Sequence, residues 1–325
     1  MKPKAIVTGS NGFVGCNLVR ALLSKDYDVT CLVRKTSNIK SLENLPIKFA
    51  YGDCNNIESL RKACEGQDYV FHLAAKVKEK SKKRYFEVNL DGTKNLLTAI
   101  NNLNIKKFIF LSSQAAAGPS ASRIPKTEEE PENPVSYYGK SKLAAEEYIK
   151  KNTKIPWTII RPSSVFGPYD RDFYIYFKLV KKGIAPLAGL SEKYISLIYI
   201  EDLSNLIIKA AINPKANYQT FFACDGNIYS WNDFINTLQN ILDKKLIRIK
   251  IPIIFAYKLA LFNECTKYFC KQQATLNLQK VKEMRVKYWI CSSDKAQNLL
   301  DFSPKFTLNE ALRKTYNWYK ENKWL

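Results

Sequence analysis

The sequence predicts an α/β fold built on a doubly wound parallel sheet, with a smaller C-terminal α+β lobe. Two features predict it. Short apolar runs such as KAIVT and DVTCLV show no polar alternation, which is typical of parallel strands buried on both faces. Between these runs lie stretches with the 3.6-residue periodicity of amphipathic helices. Strands that alternate with helices at this spacing imply right-handed crossovers and helices on both faces of one sheet.

Strand and helix candidates alternate along the first half of the chain. The strand candidates are, in order, KAIVT, DVTCLV, IKFAY, YVFHLA, KKFIFLSS and WTIIRP. The helix candidates between them are Phe13–Ser24, Ile57–Cys64, Tyr85–Asn102 and Val135–Lys151. The segment 119–134 is rich in Pro, Ser and Glu, and it is predicted to be an exposed flap rather than a domain linker.

The alternation ends after Arg161, where the turn-rich stretch RPSSVFGPYDRD begins. We therefore assign residues 1–165 to the sheet domain, with 195–215 returning to it. Residues 166–325 are assigned mainly to a substrate-binding lobe over the carboxyl edge of the sheet. The elements predicted there are a helix over Phe173–Lys182, an apolar strand YISLIYI, a helix opened by Glu201 and Asp202, and a final helix after the capping pair Thr307 and Glu310.

The formal net charge of +21 is the unusual compositional feature of this 325-residue chain. Such a charge can attract nucleic acid or another anionic surface. The basic residues nevertheless alternate with acidic ones and form no long block, and even the cluster from Lys76 to Arg84 contains Glu79. A lysine-rich surface is therefore the favoured interpretation, and a nucleic-acid partner is not expected.

Eight cysteines and a single histidine limit the metal and redox chemistry. The cysteines form no CxxC pair and several lie in apolar runs, as expected of buried, reduced thiols in a cytoplasmic protein. No metal site is expected, because His72 is the only histidine and its apolar neighbours indicate a core position. The longest apolar stretch, IPIIFAYKLALF, is too short to span a bilayer and carries Lys258.

The segment TGSNGFVG, residues 8–15, directly follows the first strand and opens the first helix. This is the context of a Rossmann-type dinucleotide-binding turn. In such a turn Gly9 permits the bend, Gly12 lets the backbone approach a pyrophosphate, and Gly15 allows close packing of helix on strand. The free N–H groups and the positive dipole end of the helix then face the phosphates. The other cofactor-binding residues predicted in this turn are Asn11, Phe13 and Val14.

The end of the second strand predicts which dinucleotide is bound. NAD sites usually place Asp or Glu there to bind the ribose 2′-hydroxyl, whereas CLVRKTS places Arg34 and Lys35 there. A guanidinium binds a 2′-phosphate in a bidentate manner. We therefore expect NADP(H) to be preferred over NAD(H), the alternative being that Arg34 is merely solvated. The cofactor-binding residues predicted at the ends of the third and fourth strands are Asp53, Cys54, Leu73, Ala74 and Ala75.

The segment PVSYYGKSKLAAEEY, which begins at Pro134, contains two tyrosines and two lysines. Residues four apart share a helix face, and Tyr138 with Lys142 is the one Tyr–Lys couple in that register. A phenol normally titrates near a pKa of about 10, but a neighbouring ammonium favours the phenolate. Ser112 and Ser113 end the fifth strand at the ligand-binding edge, where a hydroxyl can polarise a carbonyl and share its proton with Tyr138.

Together these segments resemble a known family. TGSNGFVG, HLAA, FLSSQAAAG, YYGKSK and RPSSVFGP are similar, in order and spacing, to the extended short-chain dehydrogenase/reductases, the NAD-dependent epimerase/dehydratase group. The likeness covers about the first 200 residues, and the remainder matches only in general character. The resemblance implies that Ser113, Tyr138 and Lys142 occupy the family's catalytic positions. It also implies that chain passes over the nicotinamide, with cofactor contacts at Pro162, Ser164 and Val165.

Departures from the family pattern narrow the expected reaction. Family dehydratases carry an Asp–Glu pair just after the catalytic hydroxyl, whereas Gln114 and Ala115 stand here, so net dehydration is disfavoured. Sugar-nucleotide epimerases often carry an Asn in the segment matching RPSSVFGP, where this chain has Ser163 and Ser164. The apolar IPIIFAYKLALF suits a cover over a lipophilic ketone, and a plain core helix is the commoner alternative. SSQAAAGPS is similar to reductases of the 3β-hydroxysteroid dehydrogenase and dihydroflavonol reductase type.

Three functions follow from this resemblance. The leading one is an NAD(P)-dependent oxidoreductase that interconverts a secondary alcohol and a ketone by hydride transfer. The alternative is a nucleotide-sugar epimerase that retains its cofactor. The third is a dinucleotide-sensing or RNA-associated binding protein, which is disfavoured because Tyr138 and Lys142 are both present. The expected partner is a small-molecule substrate, either a lipophilic ketone or a nucleotide sugar, and helices 85–102 and 135–151 offer a homodimer seam as in many relatives.

Overall fold

The structure is a computed structural model that describes residues 1–79, 81–266 and 277–325. The strands are, in chain order, β1 Lys4–Thr8, β2 Asp28–Val33, β3 Lys48–Tyr51, β4 Tyr69–His72, β5 Lys107–Leu111, β6 Trp157–Pro162, β7 Ser164–Phe166, β8 Ile184–Ala188, β9 Tyr194–Ile195, β10 Leu197–Tyr199, β11 Gln219–Ala223, β12 Tyr229–Ser230, β13 Ile247–Ile251 and β14 Tyr288–Trp289. Seven of these strands form one parallel sheet in the order β11-β6-β5-β4-β1-β2-β3. The predicted doubly wound parallel fold is confirmed.

The helices flank this sheet and build the lobe beside it. They are α1 Phe13–Ser24, α2 Ile57–Cys64, α3 Lys82–Phe86, α4 Gly92–Ile100, α5 Gln114–Ala117, α6 Tyr137–Asn152, α7 Tyr174–Lys181, α8 Ile200–Ile212, α9 Trp231–Leu242, α10 Ile253–Thr266, α11 Leu278–Arg285, α12 Asp294–Leu300 and α13 Leu308–Glu321. A π-helical segment, Glu87–Asp91, joins α3 to α4. Short 3₁₀ turns lie at Lys40–Leu42 and Pro214–Ala216.

Successive residues of the central strands enter two different cores. In β1, Ala5 and Val7 contact the core that includes α1 and α8, while Ile6 faces α2, α4 and α6. In β6, Ile160 lies in the core that includes α1 and α8, and Ile159 lies in the core on the other face. All of these side chains are fully buried. The uninterrupted apolar runs of the sequence therefore have the physical cause that was predicted, since both faces of the sheet are covered by helices.

Some elements differ from their sequence-based bounds. The helix predicted over 85–102 is interrupted by the π-helical segment, and the run YISLIYI divides into β9 and β10 at Ser196. The hydroxyl of Ser196 donates to the carbonyl of Cys291, which ties this break to another part of the lobe. Strand β11 was not assigned from the sequence, yet it pairs with β6 and extends the sheet to residue 223.

The C-terminal lobe shares a core with the sheet domain. Phe173 before α7, Phe177 in α7, Phe234 in α9 and Tyr319 in α13 are buried in the same cluster as the α1 face of the sheet. The Tyr319 hydroxyl donates to the carbonyl of Asp170 over 2.8 Å. Helix α10 does not belong to this core, because most of its large side chains are exposed. The core-helix interpretation of IPIIFAYKLALF is therefore wrong.

Three expectations from the sequence concern membrane-spanning helices, metal sites and cysteines. Among the residues described, no helix combines the length and apolarity needed to cross a bilayer. Within the same ranges, no three His, Cys, Asp or Glu side chains come together as metal ligands would. The cysteines seen as free thiols are Cys16, Cys31, Cys54, Cys64, Cys224 and Cys291. The side chains of Cys265 and Cys270 lie outside the described part of the chain.

Candidate active site

The predicted site residues converge on the carboxyl edge of the sheet. The turn after β1, the loops after β2, β3 and β4, the end of β5 and the first turns of α6 all meet at this edge. In an open parallel sheet this edge contains the crevice where ligands bind, and it is deepest where the strand order reverses. Here the order reverses between β1 and β4, which are neighbours in the sheet but not in sequence.

Two glycines of the first turn are required by close backbone contacts. Gly9 has a φ of +69°, and a Cβ there would lie 2.7 Å from the backbone nitrogen of Ala74. A Cβ on Gly15 would lie 2.1 Å from the carbonyl oxygen of Gly9. Gly12, the N-cap of α1, is exposed and would meet only the Gly9 oxygen, at 3.3 Å. The turn is thus packed on its inner side and open on the side where a pyrophosphate would approach.

Phe13 and Val14 contribute backbone rather than side chains to this edge. Both side chains are half-buried and pack against the core cluster under α1. Their N–H groups belong to the first turn of α1, where helix N–H groups have no intrahelical acceptor. The predicted contact of these two residues with a cofactor is therefore restricted to the main chain.

Arg34, Asp53 and Cys54 are neighbours beyond β2 and β3. Arg34 is exposed, and its positive charge opposes the rise in the pKa of the Cys54 thiol, which burial chiefly and Asp53 secondarily raise to about 11. The Asn11 side chain donates to the carbonyl of Asn38 over 3.2 Å and so ties the glycine turn to the loop that carries Arg34. One end of the crevice is thus flanked by an exposed guanidinium and a carboxylate.

The end of β4 is fixed by a buried chain of hydrogen bonds. His72 Nδ1 lies 2.7 Å from the Thr8 hydroxyl and its Nε2 lies 3.0 Å from the Thr93 hydroxyl. Burial, with a smaller contribution from Lys142, lowers the pKa of His72 to about 3, so the imidazole is neutral. The backbone N–H of Ala74 donates to Thr8 over 3.1 Å. His72 is a satisfied core residue, as predicted, and it holds Leu73, Ala74 and Ala75 against the glycine turn.

Ser113 and Tyr138 are neighbours at the sheet edge. Ser113 follows β5 and caps α5, where its oxygen accepts from the N–H of Ala115 over 3.1 Å. Its hydroxyl also lies close enough to Tyr138, in the first turn of α6, to affect the pKa of that phenol. Burial raises the pKa of Tyr138 to about 12, and the neighbouring Ser113 hydroxyl opposes that rise. Neighbouring Ser112 instead donates to Glu146, so the two serines have separate partners.

Lys142 lies one turn of α6 beyond Tyr138. Its side chain is buried, and its Nζ lies 3.9 Å from the centre of the Phe110 ring. Burial lowers the pKa of Lys142 to about 7, and the carboxylate of Glu146 opposes that change. A buried ammonium over an aromatic face retains a cation–π contact while it faces the crevice.

Asn89 and the Glu146–Arg161 pair were not identified from the sequence. Asn89, in the π-helical segment, donates to Ser141 over 2.9 Å and accepts from the N–H of Lys76 over 2.8 Å. The Arg161 guanidinium is buried and lies 2.6 Å from a Glu146 oxygen, so it supports α6 rather than lining the crevice. The signal for Asn89 was available, because an asparagine on the core side of a helix requires buried partners.

Two buried polar atoms at this edge have no hydrogen-bond partner among the described residues. They are the hydroxyl oxygen of Ser163 and the amide nitrogen of Gln114. Ser163 lies between β6 and β7, beside the predicted residues Pro162, Ser164 and Val165. Buried polar atoms are normally satisfied, so orphaned ones at a crevice fit a site that receives a polar ligand. Together with the open glycine turn, they fit a dinucleotide.

The comparisons with known proteins agree with this geometry. Residues 5–222 match the NAD dependent epimerase/dehydratase family. A UDP-glucose 4-epimerase of Vibrio cholerae is 31% identical over 327 residues, covering 96% of this chain and 94% of that protein. A 3-beta-hydroxysteroid dehydrogenase of Mycolicibacterium neoaurum is 24% identical and covers 98% and 92%. The structure of a Thermotoga maritima UDP-glucose 4-epimerase with UDP-glucose has a TM-score of 0.82 at 21% identity, covering 98% and 99%.

Proposed function

Because this chain belongs to the NAD-dependent epimerase/dehydratase family, we propose that it is an NAD(P)-dependent oxidoreductase that interconverts a secondary alcohol and a ketone. The observation that carries the proposal is the hydroxyl pair of Ser113 and Tyr138 at the sheet edge, with Lys142 one helical turn away. When bound, a nicotinamide cofactor would supply the acceptor or donor of hydride. The residues of this chain bind the reactants and move the proton.

Tyr138 is the proposed proton donor and acceptor. Its raised pKa, about 12, keeps the phenol protonated at neutral pH, which is the form that donates to a ketone oxygen. Ser113 lies beside Tyr138, so both hydroxyls can face one substrate oxygen. These properties support the reductive direction near neutral pH. Oxidation needs the phenolate, so its rate should rise with pH.

Lys142 is proposed to hold the cofactor and to stabilise the phenolate. An ammonium near the phenol favours the ionised form. Because burial lowers the pKa of Lys142 to about 7, its charge depends on what binds beside it. We expect K142A to weaken cofactor binding and to slow turnover. If K142A weakened only cofactor binding and left turnover unchanged, Lys142 would have no role in stabilising the phenolate.

NADP(H) is the proposed cofactor, in preference to NAD(H). The support is the exposed guanidinium of Arg34 after β2, together with the absence of a carboxylate in the stretch CLVRKTS. R34A should lose the preference for NADPH over NADH in dissociation constants measured by fluorescence titration, while K35A serves as the matched control. If R34A kept the preference for NADPH over NADH, Arg34 would not determine the choice of cofactor.

The test of the proposed reaction is net redox. The purified protein is incubated with NADPH and a panel of lipophilic and aromatic ketones, and the absorbance of the reduced nicotinamide is followed. The proposal expects consumption of NADPH in proportion to the alcohol formed. The same assay with Y138F should show no consumption. Turnover of a nucleotide sugar without net loss of NADPH would instead assign the chain to the epimerases.

A nucleotide-sugar epimerase is the second candidate. The identity with the Vibrio cholerae UDP-glucose 4-epimerase favours it, and so does a cavity of about 270 Å³ in the C-terminal lobe. Lys193, Lys250 and Glu192 line this cavity, and the buried Nζ of Lys193 has no hydrogen-bond partner within the described ranges. Two cations beside one cavity suit an anionic group such as a diphosphate. K193A should then weaken UDP-sugar binding by calorimetry, whereas K245A should not.

A further inference from the structure

An exposed apolar surface covers the region where β13 leads into α10. Half of the exposed large hydrophobic side chains among the described residues fall between positions 247 and 262. On the rest of the surface such side chains are scattered along the sequence. Monomeric proteins seldom expose a contiguous apolar patch unless the patch has a partner. We define this apolar patch by the side chains Ile247, Ile249, Ile251, Ile254, Phe255, Tyr257, Leu259 and Leu261.

All five residues of β13 are exposed, and one face of the strand lies towards α9. The Arg248 guanidinium hydrogen-bonds the side chains of Asn236 and Gln239 on α9, at 2.6 and 3.0 Å. Alternate residues of a strand point to opposite faces, so Ile247 and Ile249 point away from α9. They are 71% and 45% exposed, which a strand without a partner on that face would show.

Helix α10 buries only a narrow stripe. Ala256 and Ala260, one turn apart, pack against Val281 of α11. The flank beside this stripe carries Phe255, which is 61% exposed, and Leu259, which is 52% exposed. A helix that is apolar all round is stable in water only when something covers it. The small alanines hold α10 close to α11 and leave its large side chains for another surface.

The charges around the patch identify the kind of partner. Between Asp243 and Glu264 the sequence contains no acidic residue, and the basic residues there are Lys244, Lys245, Arg248, Lys250 and Lys258. A second copy docked on the same face would bring these cations together, which like-charge repulsion disfavours. An anionic bilayer attracts them and accepts the apolar side chains below its headgroups. Lys258 lies among the exposed apolar residues of α10 and can extend its ammonium to a phosphate.

We propose that the apolar patch of β13 and α10 docks this protein on the surface of an anionic phospholipid bilayer. No described helix can span a membrane, so the association is peripheral. The proposal does not depend on the reaction catalysed, because it rests on the exposed side chains of β13 and α10 and not on Tyr138. A protein held at a bilayer would reach substrates whose apolar part stays in the lipid.

Vesicle binding tests this proposal with the full chain. The protein is incubated with vesicles of equal parts phosphatidylcholine and phosphatidylglycerol, or of phosphatidylcholine alone, and then floated on a density gradient. We expect flotation with the anionic vesicles and much less with the neutral ones. Added salt should weaken the binding, because charge attraction contributes to it. K258E should weaken it by roughly fivefold or more, since each basic residue near the surface contributes on that order.

Matched variants distinguish binding through the apolar patch from nonspecific adsorption to vesicles. F255S/L259S changes two exposed side chains, so its melting temperature should match that of the wild type while its flotation is lost. I124S, at a position 74% exposed elsewhere, and K151E should float like the wild type. Flotation of F255S/L259S at the wild-type level would overturn the proposal. The proposal would also be overturned if the wild-type protein bound neither kind of vesicle. It would be overturned as well if the wild-type protein sedimented as a dimer and F255S/L259S sedimented as a monomer.

Discussion

Tyr137 and Tyr138 are adjacent on α6, but they have different surroundings. Tyr138 lies beside Ser113 at the sheet edge, whereas the backbone N–H of Tyr137 donates to Gln279 and its ring lies under the ammonium of Lys282. The two side chains are chemically alike, so they make a matched pair for testing a proton-transfer role. The difference lies in position alone.

We expect Y138F to reduce turnover by about 10²-fold or more, because a positioned acid or base contributes 10²–10⁴. Cofactor affinity and melting temperature should stay close to those of the wild type. Y137F should retain most of the activity. Steady-state rates and cofactor titration of both variants provide the measurement, and near-normal turnover in Y138F would disprove the assignment.

His72 makes folding stability depend on pH. Its folded pKa is about 3, below the ordinary value of 6.5, because the ring is buried. Below pH 6.5 the unfolded chain binds a proton that the folded chain does not, so stability falls as pH falls from about 6.5 towards 3. The slope approaches about 1.4 kcal/mol per pH unit.

H72Q should flatten this dependence, since glutamine retains a donor and an acceptor for Thr8 and Thr93 but does not titrate. Urea unfolding of both proteins at pH 7.5, 6.0 and 5.0 would measure it. The comparison is clean because the chain has one histidine and the variant keeps every carboxylate. Parallel curves for the two proteins would contradict the assigned pKa.

At the scale of single residues, the sequence predicted the features that depend on local sequence pattern. The four-residue interval set Tyr138 and Lys142 on one helix face, and the apolar neighbours of His72 indicated its burial. The Glu146–Arg161 pair was missed because no local pattern records such a pairing, and Asn89 was missed although its place on the core side of a helix was a signal. Their contribution is to hold α6 in place behind the two hydroxyls.

Helix α6 packs closely against α5 because Gly139 has no side chain. A Cβ on this residue would lie 2.1 Å from the carbonyl oxygen of Ala115. Ser136 caps the helix just before, accepting from the Gly139 N–H over 3.2 Å. This first turn therefore sets the approach of Tyr138 to Ser113.

We expect G139A to cost about 1–3 kcal/mol in the free energy of unfolding, as overpacking does. Turnover should fall further than this loss explains, because the helix must move away from Ser113. K140A, at the exposed position next to it, is the control and should be near wild type. Equal activity of G139A and K140A would show that α6 does not set the geometry.

At the scale of elements, two helices of the sheet domain were predicted with their exact bounds. The bounds of α1 and α2 are those expected, and α2 begins where the Asn56 side chain accepts from the Ser59 N–H. The π-helical segment was not foreseen, because its amphipathic pattern continues through positions 87–91. For an apolar run such as IPIIFAYKLALF, the sequence does not indicate whether protein or another apolar phase covers the side chains.

The net charge of +21 acts on the whole molecule. Self-repulsion of like charges opposes the compact state, and salt screens that repulsion within about 10 Å at 0.1 M. We expect the melting temperature to rise between 20 and 300 mM NaCl. An equal osmolality of a neutral solute serves as the control for effects unrelated to charge. A melting temperature that falls over this range would indicate that attractive ion pairs dominate.

For the whole molecule, the fold class could be predicted from the alternation of apolar runs with helical patterns. The extent of the sheet could not. Gln219–Ala223 is short and contains two polar residues, so only its pairing with β6 identifies it as a strand.

The position of β11 in the chain affects biosynthesis. While a ribosome is still extending the chain beyond β6, the outer edge of that strand offers N–H and C=O groups to any neighbouring polypeptide. The segment that satisfies them is made about 60 residues later, at positions 219–223. Until then the nascent chain is open to edge-to-edge association, and chaperones that shield such edges would matter most over this interval.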